Sequence, residues 1–312
     1  MSETTANTPA AAPAPAPKPV PAANAAPAAA PTAAAAPATA AAPAAAPPAP
    51  APAQPVKFIA KPMNIGVFDF LNIQPLIWDM KNHHKLFKAP PSQMGNLLKL
   101  GRLDVAIAPI VSKFLSPELQ IVPVAAIGCK GPVKSVRLLS HVPLTDVTRI
   151  FADVRSQTSV LLARLILKKW YGVKKVQVEG VDMESFKPNQ TKPWEATLQF
   201  GDIALESAPT GMLVTDLGEE WFLRTQKPFI FAVWMARNVT VAREIEMDLL
   251  AAKTEGLKHF QEIVDNYHGI WLFHRPQAKE YLEKNIDYTY TAKEVQGQLE
   301  FEKLLREEGL IL

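Results

Sequence analysis

The sequence predicts an α/β protein, and three observations carry that expectation. Beyond residue 55, short apolar runs of strand length alternate with longer segments of helical periodicity. Start and stop residues bound several of the helical segments: Gly101 and Gly309 close two of them, and Asp216 and Thr291 stand at capping positions. The longest apolar run, Pro228 to Ala236, is far short of the about 20 residues needed to span a membrane, so the apolar segments belong to a core.

Taken in order, Asn64 to Asp69 is rich in strand formers and opens the folded region. Ser92 to Leu100 reads as a short helix closed by Gly101, and Asp104 to Pro109 as the next buried strand. Strands at Leu119–Ala126 and Ser135–Ser140 follow. Arg149–Val154 then leads into a helix at Ser159–Trp170. Alternation of this kind predicts parallel sheets covered by helices. The last third is helical. Thr291 and Glu294 have capping-box spacing ahead of an apolar stripe of Val295, Leu299, Leu304 and Leu305, and Gly309 ends that helix. Asp216 and Glu219 repeat the spacing before Trp221.

Residues 1–55 differ in kind. They hold 15 of the chain's 29 prolines, are otherwise mostly Ala, and carry only Glu3 and Lys18 as charges. Without large apolar side chains they cannot bury a core, so a disordered, polyproline-like tether is expected. The start Met1-Ser2-Glu3 lacks the basic end and apolar stretch of a secretory signal. Cys129 is the sole cysteine, which rules out an intrachain disulfide and fits a reducing, cytoplasmic location. A net charge of +3 with no basic-aromatic array gives no expectation of nucleic acid, and no membrane partner is expected.

Dinucleotide, Walker and HExxH signatures are absent. His83 and His84 are adjacent and would point apart on a helix or a strand, so neither a metal nor an organic cofactor is expected. Three places remain. Phe70-Leu71-Asn72-Ile73-Gln74-Pro75-Leu76 follows the first strand, where ligands of open α/β sheets bind. Asn72 there offers both a donor and an acceptor, or simply tolerates a turn before Pro75. Gly131 to Arg137 places Ser135 at a strand start, with Arg137 two residues later on the same face. Arg155 to Ser159 opens a helix whose free N–H groups and dipole suit a carboxylate, although plain capping by Ser156 or Thr158 explains the same residues.

These places lie within a longer series. LNIQPL, GRLDVAIAPI, GPVKSV, SQTSVLL, FGDIAL, DLGEEW and PFIFAVWMAR occur in the order found in the chorismate dehydratase family, which the chain resembles from about Met63 to its end. The resemblance implies the two-lobed type II periplasmic-binding-protein-like α/β fold with an interlobe cleft. Lobe one would comprise residues 63–140 plus 230–312 and lobe two residues 141–229, with strands crossing near Ser135–Ser140 and Phe229–Arg237. It implies a hydro-lyase that removes water from chorismate to give 3-[(1-carboxyvinyl)oxy]benzoate in the futalosine route to menaquinone. Asn72 and Ser135 occupy the family's catalytic places; Gln74, Arg137, Thr158, Ser159, Gly201 and Asp202 would bind substrate. Gln74 stands where an Arg is common in the family. A non-catalytic protein binding a small carboxylate in the same cleft is the alternative, and a secretion signal or a lipobox cysteine would favour it.

Overall fold

The computed structural model describes residues 57–153, 155–183, 185–269 and 275–312, so the Ala/Pro-rich segment and His274 lie outside the described residues. Ten described strands form two five-stranded sheets. The first contains β1 (Asn64–Val67), β2 (Lys85–Lys88), β3 (Val105–Pro109), β4 (Gln120–Cys129) and β10 (Phe229–Ala236), in the order β2-β1-β3-β10-β4. The second contains β5 (Val136–Ser140), β6 (Arg149–Asp153), β7 (Gln177–Val181), β8 (Glu195–Phe200) and β9 (Leu213–Asp216), in the order β7-β6-β8-β5-β9. Eight described helices accompany them: α1 (Pro91–Lys99), α2 (Val111–Leu115), α3 (Gln157–Trp170), α4 (Leu217–Thr225), α5 (Val239–Gly256), α6 (Phe260–Asn266), α7 (Arg275–Glu280) and α8 (Ala292–Glu307).

The sheets are mixed, which corrects the expectation of parallel ones. β1 pairs in parallel with β2 and β3, and β6 with β7 and β8. β10 runs antiparallel to β3 and β4, and β5 antiparallel to β8 and β9. β5 enters its sheet from β4 of the other sheet, through residues 130–135, and β10 from β9 of the other sheet, through α4, so neither follows the crossover within one sheet that keeps neighbouring strands parallel. Each sheet is continuous: the first draws on residues 64–129 and 229–236, the second on residues 136–216. The strand Val136–Ser140, assigned above to the first lobe, therefore pairs wholly in the second sheet. The chain passes between sheets at residues 130–135 and again along α4.

Strands β3 and β10 are buried at every position, as expected for the centre of a covered sheet. An aromatic cluster packs the second passage: Trp221 of α4 lies 5.2 Å from Phe229 of β10 and 5.7 Å from Phe301 of α8, ring to ring. α8 has the expected capping box. Its buried face, however, is Glu294, Gly297, Gln298, Phe301, Leu304 and Leu305, while Leu299 is exposed and Val295 only half-buried. Gly297 sets that face, because a side chain there would run into the backbone of Pro228. At α4 the structure forms the Asp216 half of the expected box: its carboxylate caps the N–H groups of Gly218 and Glu219.

Candidate active site

The carboxyl ends of β1, β3 and β6 converge on one cleft between the two sheets, the place where open α/β sheets bind ligands. It holds about 530 Å³, its open mouth included, a size suited to a small organic molecule. Phe68, Phe70, Phe200 and Phe231 give it aromatic walls. Its polar lining consists of Asn72, Ser135 and the consecutive residues Arg155 to Ser159.

Each polar group is placed by local chain geometry. Asn72 lies in a 3-10 turn, Leu71–Ile77, that follows β1 directly. Its Nδ2 donates to the Tyr281 hydroxyl at 3.0 Å, and its Oδ1 is buried without a hydrogen-bond partner among the described residues. Ser135 is 2% exposed and sits on the first passage between sheets. Asp216 holds that passage: besides capping α4, its carboxylate accepts the N–H groups of Val133 (3.1 Å) and Lys134 (2.6 Å). Burial raises the Asp216 pKa from its ordinary value, opposed by these backbone bonds. The Ser135 carbonyl accepts from Gly201 N–H at 2.9 Å, tying the end of β8 to the start of β5.

The third place is the start of α3. Thr158 and Ser159 are buried in the cleft wall, and the Thr158 hydroxyl has no hydrogen-bond partner among the described residues. Ser156 is the N-cap residue, yet its side chain makes no capping bond. The first-turn N–H groups and the positive end of the helix dipole thus remain available to a carboxylate. The Arg155 guanidinium is engaged with the carboxylate of Asp153, with Nε at 2.9 and 2.8 Å from its two oxygens.

Asn72, Ser135, Thr158, Ser159 and Gly201 thus line a single cleft. The other three expected binding residues do not. Gln74 turns its amide back onto the Phe70 carbonyl at 3.1 Å, because the 3-10 turn brings that oxygen within reach. Arg137 faces a separate recess beside Lys134, Glu280 and Tyr281, donating to the Glu206 carbonyl at 2.7 Å and to Gln199 Oε1 at 3.3 Å. Its expected alternation with Ser135 fails because Lys134 has a φ of 61° and the pleat begins only at Val136. Asp202 is 6% exposed and spends its carboxylate on the protein. It accepts Leu71 N–H at 3.1 Å and the Tyr267 hydroxyl, bonds that join the two lobes. Burial, opposed by those bonds, raises its pKa to about 6.

Phe70 closes the same seam. Its ring meets that of Phe200 edge-on at 5.4 Å and lies over Gly201. Gly201 has a φ of 74°, and an added Cβ would stand 2.8 Å from the Phe70 ring, so glycine is required there twice over. Sequence reading missed Tyr281, Tyr267 and the phenylalanine walls. The tyrosines are separated from Asn72 and Asp202 by 209 and 65 residues, and no local pattern links them.

His83, His84 and Asp248 carry the residue types of a metal site. The two rings come together at 4.7 Å because residues 83–84 lie in a turn, outside the helix-or-strand geometry expected to separate them. Hydrogen bonding nevertheless disfavours a metal. Met63 N–H donates to His84 Nδ1 at 3.3 Å, so the ring proton sits on Nε2 and points at Asp248, 3.2 Å away. Asp248 also accepts Ile59 N–H (2.8 Å) and Ala60 N–H (2.9 Å). The cluster pins the first described residues to α5. Burial lowers the His84 pKa despite Asp248 and keeps the imidazole neutral.

The two mixed sheets and their cleft define a protein of the periplasmic-binding-protein-like fold. A protein of Archaeoglobus fulgidus superposes with a TM-score of 0.68 at 13% identity, over 80% of this chain and 99% of that one. The periplasmic aliphatic sulphonate binding protein of Escherichia coli does so with a TM-score of 0.55 at 16% identity, over 80% and 88%. Within that class the chain belongs to the menaquinone biosynthesis family, whose model matches residues 63–307. A chorismate dehydratase of Thermus thermophilus is 25% identical over 233 residues, 66% of this chain and 81% of that protein. No described helix is long and apolar enough to cross a membrane.

Proposed function

We propose that this protein is a chorismate dehydratase, a hydro-lyase that converts chorismate to 3-[(1-carboxyvinyl)oxy]benzoate and water. The observation that carries the reading is the meeting of Asn72, Ser135 and the start of α3 in one aromatic-walled cleft, in a chain of the menaquinone biosynthesis family. Chorismate is a dianion with a cyclohexadiene ring. Thr158, Ser159 and the first-turn N–H groups of α3 seat one carboxylate, while the phenylalanine rings flank the ring system.

The chemistry asks little of the protein. Loss of the C3 proton and the C4 hydroxyl makes the ring aromatic, so the driving force is intrinsic to the substrate. The C3–H electron pair enters the ring as the C4–O bond breaks; the hydroxide takes up a proton and departs as water. Ser135 orients the leaving hydroxyl as charge develops on it, and Asn72 positions the ring. Arg155 is the one titratable side chain among the described residues lining the cleft, and it is engaged with Asp153. With no carboxylate or imidazole among the described residues lining the cleft, a carboxylate of the substrate itself fits the role of base.

The test is incubation of purified protein with chorismate, following aromatic absorbance and identifying the product by mass. The expected outcome is one product lighter than chorismate by one water. Tight binding of chorismate without turnover would instead leave the chain a carboxylate-binding protein.

A further inference from the structure

Asn72 and Ser135 line one cleft but are far apart along the chain, with β2, α1, β3, α2 and β4 between them. A shorter route joins them through space. Gly201 N–H donates to the Ser135 carbonyl at 2.9 Å, and the carboxylate of the next residue, Asp202, accepts Leu71 N–H at 3.1 Å. Leu71 is the residue before Asn72. The Gly201–Asp202 step therefore holds the serine at one end and the turn that carries the asparagine at the other.

This route is fixed along its length. Leu71 and Asp202 are buried, so neither bond can lengthen without leaving a polar group unpaired. The Phe70 ring lies over Gly201, and Ala204 N–H closes on the Gly201 carbonyl at 3.1 Å. The Tyr267 hydroxyl donates to Asp202 and lies 3.3 Å from the Asp69 carbonyl, its second acceptor. A buried carboxylate so near a catalytic cleft invites the role of general base, but both oxygens of Asp202 accept from the protein and the residue does not line the cleft. We propose that Asp202 is a positioning residue whose carboxylate, by its reach, sets the distance between Asn72 and Ser135. This inference rests on the dehydratase reading and deepens it. Asn72 must hold the ring while Ser135 meets the leaving hydroxyl, and a shift of about 1 Å between two such groups costs rate.

Two substitutions separate reach from charge. Asp202→Asn keeps the reach and an oxygen for Leu71 N–H, and its Nδ2 can donate to Tyr267, whose own proton then goes to the Asp69 carbonyl. Asp202→Glu keeps the charge but is longer by about 1.5 Å, which displaces the Asn72 turn. The expected kcat is within about threefold of wild type for Asp202→Asn and about tenfold or more lower for Asp202→Glu. KM should stay within about threefold in both, because the carboxylate seat on α3 is untouched. Asp202→Ser falls short of Leu71 N–H and should lose kcat as the longer side chain does, so it serves if Asp202→Glu does not fold. A tenfold loss in Asp202→Asn, as a base would give, or an unimpaired Asp202→Glu overturns the proposal. In an Asn72→Ala background the Asp202→Glu penalty should shrink to about twofold or less, and its persistence in full also overturns it. A further measurement needs no substrate. The Asn72 side-chain amide donates to Tyr281 at 3.0 Å; labelled with nitrogen-15, its protons should exchange about tenfold faster in Asp202→Glu than in wild type or Asp202→Asn, with the backbone amides of β3 unchanged. Equal exchange in all three proteins overturns the proposal. If the wild type fails to turn over chorismate, the dehydratase reading falls alone and the exchange measurement still decides the role of Asp202.

Discussion

Replacing Asp202 with asparagine removes a titrating group from the seam between the lobes while keeping an oxygen to accept Leu71 N–H. Burial, opposed by the Tyr267 and Leu71 bonds, raises Asp202 from 3.8 to about 6. The folded protein therefore binds this proton more tightly than the unfolded chain does. The stabilisation is fully present below about pH 3.8 and is lost as pH rises through about 6. A difference of about two units at about 1.4 kcal/mol each gives about 3 kcal/mol in all, of which about 2 kcal/mol is lost between about pH 4.5 and pH 8. An asparagine amide does not titrate, so Asp202→Asn should gain on the wild type by that amount as pH rises across the window. For a domain of this size that is about 4–8 °C in relative Tm. The assay is paired thermal melts of the two proteins across pH. Pairing matters because His84, whose pKa burial lowers, acts in the opposite sense as pH falls below its ordinary 6.5. A Tm difference that stays constant over this range refutes the reasoning and means that water reaches Asp202.

Two further outcomes follow from the same geometry. Gly201→Ala forces a φ of 74° on a residue with a Cβ and drives that Cβ into the Phe70 ring, so it should cost about 1–3 kcal/mol in denaturant melts and lower kcat/KM by disturbing the cleft wall. Exhaustive dialysis against a chelator should leave turnover intact, because the described residues lining the cleft offer a metal no imidazole, carboxylate or thiolate; activity that is lost and then restored by a divalent cation contradicts this.

Much of the candidate site's lining is legible in the sequence because strand ends and helix starts are local features. Asn72 after β1, and Thr158 and Ser159 at the start of α3, stand where backbone geometry leaves donors beside a sheet edge, and the structure brings them into one cleft. Arg137 faces a different recess for an equally local reason: the left-handed Lys134 breaks the period of two that would put it on the face of Ser135. Gln74 and Asp202 have the right residue types close to the cleft but spend their polar atoms on the protein. Tyr281 and Tyr267 were not legible, since their partners are brought to them by packing of the last third of the chain, which reads from sequence only as helix. The antiparallel course of β5 and β10 was hidden for the same reason, because strand direction is set by which sheet a segment joins.

The most direct test of the catalytic account is proton NMR of chorismate mixed with wild type, and separately with Ser135→Ala, at saturating substrate. The wild type should replace the ring signals of chorismate with aromatic ones. Ser135→Ala loses one cleft hydroxyl from a buried position and little volume, so it should stay folded and convert chorismate about a hundredfold more slowly, with the loss in kcat. Conversion by Ser135→Ala at the wild-type rate, with chorismate merely bound more weakly, would contradict the account and leave the serine a binding residue.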